Sequence, residues 1–114
     1  MGFPKKLTYD DIRTVAFGSI TGTFTTLGSA FTRPARLIKI VNTTNQTAEI
    51  TTDGTNVEDI VPSNSFTLYD LTTNRVNDEG AFFASGTQFS VRRPAAEVNP
   101  ISGSVYLIMI GGEI

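Results

Sequence analysis

Apolar and polar side chains alternate with a period of two along much of this chain of 114 residues. The stretch QTAEITT (46–52) shows the pattern clearly, with Ala48 and Ile50 on one side and Glu49 and Thr51 on the other. Successive side chains of a β-strand point to opposite faces of the sheet, so this alternation is typical of a half-buried strand. Threonine suits the wet face because its β-branched side chain packs well on a pleated surface.

Several further stretches alternate in the same way or form a short continuous apolar run. Gly, Pro, Asn and Asp separate them, and an Asp-Gly pair within TDGTN (52–56) predicts a hairpin turn. The other predicted strands lie at 14–20, 22–27, 35–41, 65–71, 87–93 and 104–110. This spacing predicts an all-β domain, a β-sandwich or jelly roll of about seven or eight antiparallel strands.

The length fits a single domain, and the 39% of hydrophobic residues is typical of a globular chain. We predict that residues 14–114 form the sandwich, with its core built from the apolar phase of each strand. The predicted core residues are Phe24, Leu37, Ile40, Ile50, Phe66, Leu68, Phe89, Val91, Leu107 and Met109.

The first thirteen residues are predicted to form an extended N-terminal arm. Phe3 and Leu7 are its apolar anchors, Pro4 stiffens it, and two adjacent lysines follow. Charge is unevenly distributed: residues 1–39 hold six basic and two acidic side chains, whereas residues 40–114 hold three basic and nine acidic ones. Such asymmetry suggests an oriented contact with a neighbouring subunit. The residues assigned to this interface are Phe3, Lys5, Lys6, Leu7, Tyr9, Arg13, Arg33 and Arg36.

No catalytic constellation can be recognised in the sequence. The chain contains no histidine and no cysteine, which removes the commonest general base and the thiol nucleophile. Six of its eleven carboxylates occur as adjacent pairs, which point to opposite faces of a strand. These pairs are Asp10 with Asp11, Glu58 with Asp59, and Asp78 with Glu79. We therefore predict a protein that is not an enzyme and has no cofactor.

Metal, nucleic-acid and membrane binding are also disfavoured. The segment DGTNVED (53–59) is rich in oxygen ligands but lacks the spacing of an EF-hand, so a hairpin turn is the favoured interpretation over a calcium loop. The net charge of −2 argues against a nucleic-acid partner. The longest apolar stretch, VYLIMI (105–110), is far shorter than the roughly 20 residues that span a bilayer.

Phrases across residues 22–74 carry a family resemblance: ARLIKIVN (35–42), TTDGTN (51–56) and P-x-N-S-F-x-L-Y-D-L-T-T-N (62–74). In these the chain resembles small β-rich virion proteins of tailed double-stranded DNA bacteriophages, of the capsid decoration or cement type. The resemblance implies a non-enzymatic protein that binds an assembled capsid and stabilises it. It also implies the major capsid protein or neighbouring virion subunits as partners, self-association, and assembly in the cytoplasm of the host bacterium.

Other functions remain open from the sequence. The same β-sandwich style serves head–tail adaptor, collar and tail-ring components of such virions. A carbohydrate-binding module would need exposed aromatic rings on one sheet face, with Tyr69 and Tyr106 as the candidates and no tryptophan to help. A small glycosidase would need two carboxylates facing each other across a cleft.

Overall fold

The structure of the protein, a computed structural model, describes residues 7–70, 75–76, 79–80 and 83–112. These residues form eleven strands, and one turn of 3-10 helix at Phe17–Ser19 follows the second of them. The strands are β1 (Leu7–Tyr9), β2 (Arg13–Ala16), β3 (Thr25–Thr26), β4 (Ala35–Asn42), β5 (Ala48–Thr51), β6 (Asp59–Val61), β7 (Ser65–Asp70), β8 (Arg75–Val76), β9 (Glu79–Gly80), β10 (Ser90–Arg92) and β11 (Ser104–Gly112).

Two antiparallel sheets pack against each other, which confirms the predicted all-β sandwich. Sheet A has the strand order β1-β11-β4-β7, with β2 also paired to β11, and sheet B has the order β3-β10-β5-β6. Strands β8 and β9 form a separate two-stranded ribbon. The chain passes from one sheet to the other between β2 and β3, β3 and β4, β4 and β5, β6 and β7, and β10 and β11. Residues adjacent in sequence therefore contribute to both layers of one core.

The long strands β4 and β11 form the centre of sheet A. Their register runs from Asn42 opposite Val105 to Leu37 opposite Ile110, with an irregularity between Ile110 and Gly111. One phase of each strand is buried against sheet B, and each such aliphatic side chain contributes about 1.5–3 kcal/mol when fully buried. The buried apolar core consists of Val15, Ile20, Leu27, Phe31, Ala35, Ile38, Ile40, Ala48, Ile50, Val61, Phe89, Val91, Val105, Leu107 and Met109.

The strand predictions differ in how well they match the structure. The strands predicted at 35–41, 46–52, 65–71 and 104–110 are confirmed as β4, β5, β7 and β11. The other three are shorter than predicted: β2 gives way to the 3-10 turn after Ala16, β3 spans two residues, and β10 begins at Ser90. Strands β1, β6, β8 and β9 were not predicted, because two or three residues are too few to show an alternating pattern.

The predicted core is correct for Ile40, Ile50, Phe89, Val91, Leu107 and Met109, all of which are buried. Phe24 and Leu37 are only partly buried. The prediction is wrong for Phe66 and Leu68, whose side chains are 60% and 51% exposed. Strand β7 turns its other phase inward: Ser65, Thr67 and Tyr69 are half-buried, and the Tyr69 ring lies 6.1 Å from the ring of Phe83.

The predicted arm is wrong for residues 7–13. Strand β1 pairs with the C-terminal end of β11, placing Leu7 opposite Gly112 and Tyr9 opposite Ile110. Arg13 begins β2, which pairs with the other end of β11. Strands β1 and β2 both make their backbone hydrogen bonds with β11 of sheet A, so the sandwich begins at Leu7 rather than at residue 14. Residues 1–6 lie outside the described residues.

Asn42 links the two sheets through a buried hydrogen-bond network. Its side chain is fully buried at the end of β4. Its Nδ2 donates to the carbonyl oxygens of Gln46 at 2.8 Å and Val61 at 3.0 Å, and its Oδ1 accepts from the backbone N–H and the hydroxyl of Thr44. Because Val61 belongs to β6 of sheet B, one amide group fixes the β4–β5 crossover against the end of a strand in the opposite sheet.

Candidate protein interface

The solvent-facing side of sheet A carries an unusual number of apolar side chains. The register across β7, β4 and β11 aligns them in three rows. A residue of β2 extends the first row, and a residue of β1 extends the third. We call this surface the outer face of sheet A. Its rows are Phe66–Val41–Tyr106–Thr14, Leu68–Lys39–Ile108 and Asp70–Leu37–Ile110–Tyr9.

Exposure of these side chains distinguishes the outer face from ordinary protein surface. Phe66, Leu68 and Tyr9 are each more than half exposed, at 60%, 51% and 69%. The remaining apolar members shield one another and are half-buried. Single exposed hydrophobic residues are normal, whereas a contiguous apolar patch usually marks a binding surface. The outer face therefore has the character of a protein interface.

The solvent-facing side of sheet B is built differently. There Arg92 of β10 pairs with Glu49 of β5, with 2.8 Å between Nε and Oε1. The Arg92 guanidinium also lies over the Phe24 ring, 4.3 Å from its centre, and shields that ring from water. This ion pair and stacked cation are typical of a strand surface that stays in solvent. Ile60, opposite Glu49, is 52% exposed, so sheet B also presents an apolar side chain, but without the three aligned rows of sheet A.

The size of the outer face sets the strength of the contact it can make. Three rows across about four strands, at a strand spacing of about 4.8 Å and a rise of about 3.3 Å per residue, cover roughly 400 Å². This area includes the polar positions Thr14, Lys39 and Asp70, and it is within the range of the largest apolar patches on monomers. It is about half of the roughly 800 Å² that one partner buries in a standard stable complex. A single copy would therefore bind weakly through this face alone.

Two charged residues interrupt the apolar rows. Lys39 lies in the middle row, and its Nζ sits 5.0 Å from the centre of the Phe66 ring. Asp70 lies at the β7 edge of the third row. A partner that covers the outer face would desolvate the Lys39 ammonium, so it has to present an acceptor or a carboxylate there.

The interface residues predicted from sequence fall into different environments. Tyr9 lies on the outer face, and β1 contains Leu7. Arg33 lies in the loop that precedes β4, and Arg36 is the second residue of β4. Both are partly buried. Phe3, Lys5 and Lys6 lie outside the described residues.

Arg13, which the sequence assigns to the interface, lies inside the fold rather than on its surface. Its side chain is 5% exposed and packs over the Phe31 ring. The guanidinium donates to the carbonyl oxygens of Ser29 at 2.6 Å, Asp11 at 3.0 Å and Ala30 at 3.1 Å, and pairs with Asp10 at 3.0 Å. All of its donor nitrogens are used inside the fold, so it fastens β2 to the loop that leads into β4.

The β5–β6 connection is the predicted hairpin turn. Asp53 Oδ1 accepts from the backbone N–H groups of Asn56 and Thr55 and from the Thr51 hydroxyl, and Gly54 adopts a positive φ of 78°. These hydrogen bonds, led by the one from Asn56, hold the Asp53 pKa well below its usual range. Among the described residues, no group of three potential ligands is placed to hold a metal ion. Asp53 is thus used to shape the turn.

The two tyrosines considered for sugar binding lie on opposite sides of sheet A. Tyr106 is on the outer face, whereas Tyr69 points inward and donates a hydrogen bond to Asp59. They cannot form one stacking platform. The described residues include no helix long and apolar enough to cross a membrane.

Neither a family model, nor a curated protein, nor a solved structure matches this chain. The outer face of sheet A, identified from its own geometry, is the candidate functional site. Sequence patterning missed it because Phe66 and Leu68 form the more apolar phase of β7, which the alternation assigns to the core. The opposite phase, Ser65, Thr67 and Tyr69, is more polar, yet it is the one that faces inward.

Proposed function

We propose that this protein is a non-enzymatic structural component of a bacteriophage virion that binds an assembled capsid and stabilises it. The observation that carries the proposal is the apolar outer face of sheet A. Its area suits a contact that is weak for one copy and strong for an array. Attachments repeated on a capsid lattice reinforce one another through effective concentration.

The strand order supports the same proposal. If β2–β7, β10 and β11 are numbered from one to eight, sheet A has the order 1-8-3-6 and sheet B has the order 2-7-4-5. We interpret this order as a jelly roll, an architecture found in viral capsid domains and also in lectins. A fold does not specify a function, so the outer face carries the argument and the topology only agrees with it.

A second candidate role lies within the same virion. A head–tail adaptor, collar or tail-ring component would use the outer face against a neighbouring subunit in a ring rather than against the capsid surface. The same variants test both roles, because loss of binding to complete heads and loss of binding to isolated tails are separable measurements. The carbohydrate-binding alternative is less well supported, since Tyr69 and Tyr106 lie on opposite sides of one sheet.

The test is co-sedimentation of the purified chain with empty heads of the phage that encodes it. The double variant Phe66→Thr/Leu68→Thr keeps strand-favouring residues but removes the two most exposed anchors of β7. About half of each side chain is exposed in the free protein and becomes buried on binding. The double variant should therefore weaken the binding of one copy by about 2 kcal/mol, or roughly 30-fold in affinity. On a lattice this loss repeats at every copy, and particles should lose most of their bound protein.

Ile101→Thr is the matched control, because Ile101 is 75% exposed and lies outside the outer face. It should bind heads as the unmodified chain does. Urea unfolding should differ by less than about 1 kcal/mol in either variant, since none of these residues belongs to the core. Equal binding by the double variant and the control would show that the capsid contact, if any, is made elsewhere.

A further inference from the structure

A small cleft opens between β6 of sheet B and β7 of sheet A, on a side of the sandwich that the outer face does not include. Its volume is about 250 Å³. Ile50 and Phe89 form its buried part, and Tyr69 and Phe83 are half-buried beside them. The Phe83 ring lies 5.5 Å from the ring of Phe89, so the cleft has an aromatic lining. We call it the aromatic cleft.

Carboxylates occupy the solvent side of the aromatic cleft. Glu58 is exposed there and accepts from the backbone N–H of Thr52 at 2.6 Å. Asp59 accepts a hydrogen bond from the Tyr69 hydroxyl. Burial, followed by this bond and the charges of Asp59 and Glu58, raises the pKa of Tyr69 well above its usual value. The described lining contains two acids and no basic side chain, so the cleft is electronegative.

The volume indicates what kind of group fits. Small-molecule sites usually measure about 300–1,000 Å³, and this cleft is smaller. It suits a single apolar side chain, best an aromatic ring that can meet Phe83 and Phe89 edge to face. The acids at its mouth favour a chain in which that side chain is followed closely by positive charge.

The N-terminal segment MGFPKK (1–6) has this chemistry. Phe3 precedes Lys5 by two residues, which is about 7 Å along an extended chain. With Phe3 inside a cleft, this spacing would place Lys5 near the cleft's rim. Outside the described ranges, basic residues occur only at Lys5 and Lys6. The side chain of Arg75 is also outside what the structure describes, but Arg75 follows Thr72, Thr73 and Asn74 and has no aromatic residue just before it.

We propose that the aromatic cleft of one copy receives the N-terminal segment of a second copy, with Phe3 in the cleft and Lys5 and Lys6 at its acidic mouth. The contact joins two different surfaces, so it links copies head to tail and builds a ring or a row. It concerns contacts between copies and does not depend on the capsid binding proposed above.

Reach favours a second copy over the same chain. Strands β1 and β7 are opposite edges of sheet A, three strand spacings or about 14 Å apart. The cleft lies deeper still, towards sheet B. Phe3 precedes Leu7 by four residues, which span about 14 Å when fully extended. The segment would be at the limit of its length in its own molecule, whereas a neighbouring copy has no such limit.

The decisive experiment mixes two variants of the full chain and measures mass by analytical ultracentrifugation. Phe3→Ala removes the inserted ring but keeps the cleft, and Glu58→Lys reverses the charge at the cleft but keeps the segment. Each alone should associate at least about tenfold more weakly than the unmodified chain. Mixed together, they should form a one-to-one dimer and nothing larger, because only one intact segment and one intact cleft remain to pair.

Further variants separate this contact from a folding defect and from the outer face. Circular dichroism should be unchanged in both variants, and Lys5→Glu/Lys6→Glu should restore association when combined with Glu58→Lys. Phe66→Thr/Leu68→Thr should associate as the unmodified chain does, so failure of capsid binding and failure of this contact are distinguishable. The proposal is wrong if the unmodified chain stays monomeric at millimolar concentration, or if the mixed variants form no dimer.

Discussion

Replacing Asn42 by alanine is expected to lower the free energy of unfolding by about 3–5 kcal/mol. The fully buried amide donates to the carbonyls of Gln46 and Val61 and accepts from Thr44. Alanine satisfies none of these partners, and a buried group left without a hydrogen bond costs about 1–3 kcal/mol. Two or more such groups account for the expected loss, which equilibrium unfolding in urea would measure.

Asn56→Ala is the control for this prediction. Asn56 is exposed in the β5–β6 turn, and its Nδ2 donates to Asp53 at 3.1 Å. Water can replace that bond, so the variant should lose less than about 1 kcal/mol. If Asn42→Ala were no more destabilising than Asn56→Ala, the amide would not hold the two sheets together as its contacts indicate.

Replacing Arg13 by methionine is the second change with a large expected effect, also about 3–5 kcal/mol. Methionine keeps much of the aliphatic stem against Phe31 but removes the guanidinium. The carbonyls of Ser29 and Ala30 then lose their donor, and Asp10 loses its cation. The loop between β3 and β4 should loosen, which hydrogen exchange at Leu27 and Phe31 would report.

The comparison is Arg92→Met, which removes a second ion pair between side chains. That pair, with Glu49, is more exposed, at 31% for the arginine side chain and 17% for the glutamate. Exposed ion pairs contribute about 0–1 kcal/mol, so the loss should be several times smaller than at Arg13. Equal losses at the two positions would contradict the structural role assigned to Arg13.

The pair of Arg13 and Asp10 also predicts a pH dependence. Partial burial raises the Asp10 pKa, but the hydrogen bond from Arg13 and the charges of Arg13 and Arg33 outweigh it, so the pKa is lowered overall. A carboxyl whose folded-state pKa is depressed stabilises the fold above its unfolded value of about 3.8 and loses that contribution as pH falls below it. Arg13→Met should therefore flatten the acid side of the stability profile.

The alternating pattern was sufficient to predict the fold class and the central strands. Strands β4, β5 and β11 have one phase that is clearly more apolar or lie in a continuous apolar run, so their existence follows from composition. The cross-sheet connections follow less directly, since short loops permit several pairings. Strand β1 escaped prediction because three residues are too few to show an alternating pattern, and its pairing with β11 is a long-range contact.

The phase of β7 and the role of Arg13 could not be predicted from the sequence. In β7 the phase with Phe66 and Leu68 is the more apolar one. The structure turns the other phase inward, where the Tyr69 hydroxyl donates to Asp59 and the Tyr69 ring packs against Phe83. Arg13 looks like a surface cation in sequence. It is buried because it donates to the backbone carbonyls of Ser29 and Ala30, which lie 16 and 17 positions later in the chain. Both are long-range contacts that no local pattern records.

The most direct test of the outer face is its protection from chemical labelling on the particle. The chain contains no cysteine, so Leu68→Cys and Ile101→Cys each introduce a single thiol, one on the outer face and one away from it. Maleimide labelling is measured for the free protein and for protein bound to empty heads. We expect labelling at position 68 to slow by about tenfold or more on the particle, because the contact excludes water, while labelling at position 101 stays unchanged. Labelling at position 68 that is as fast on the particle as in solution would contradict docking through the outer face of sheet A.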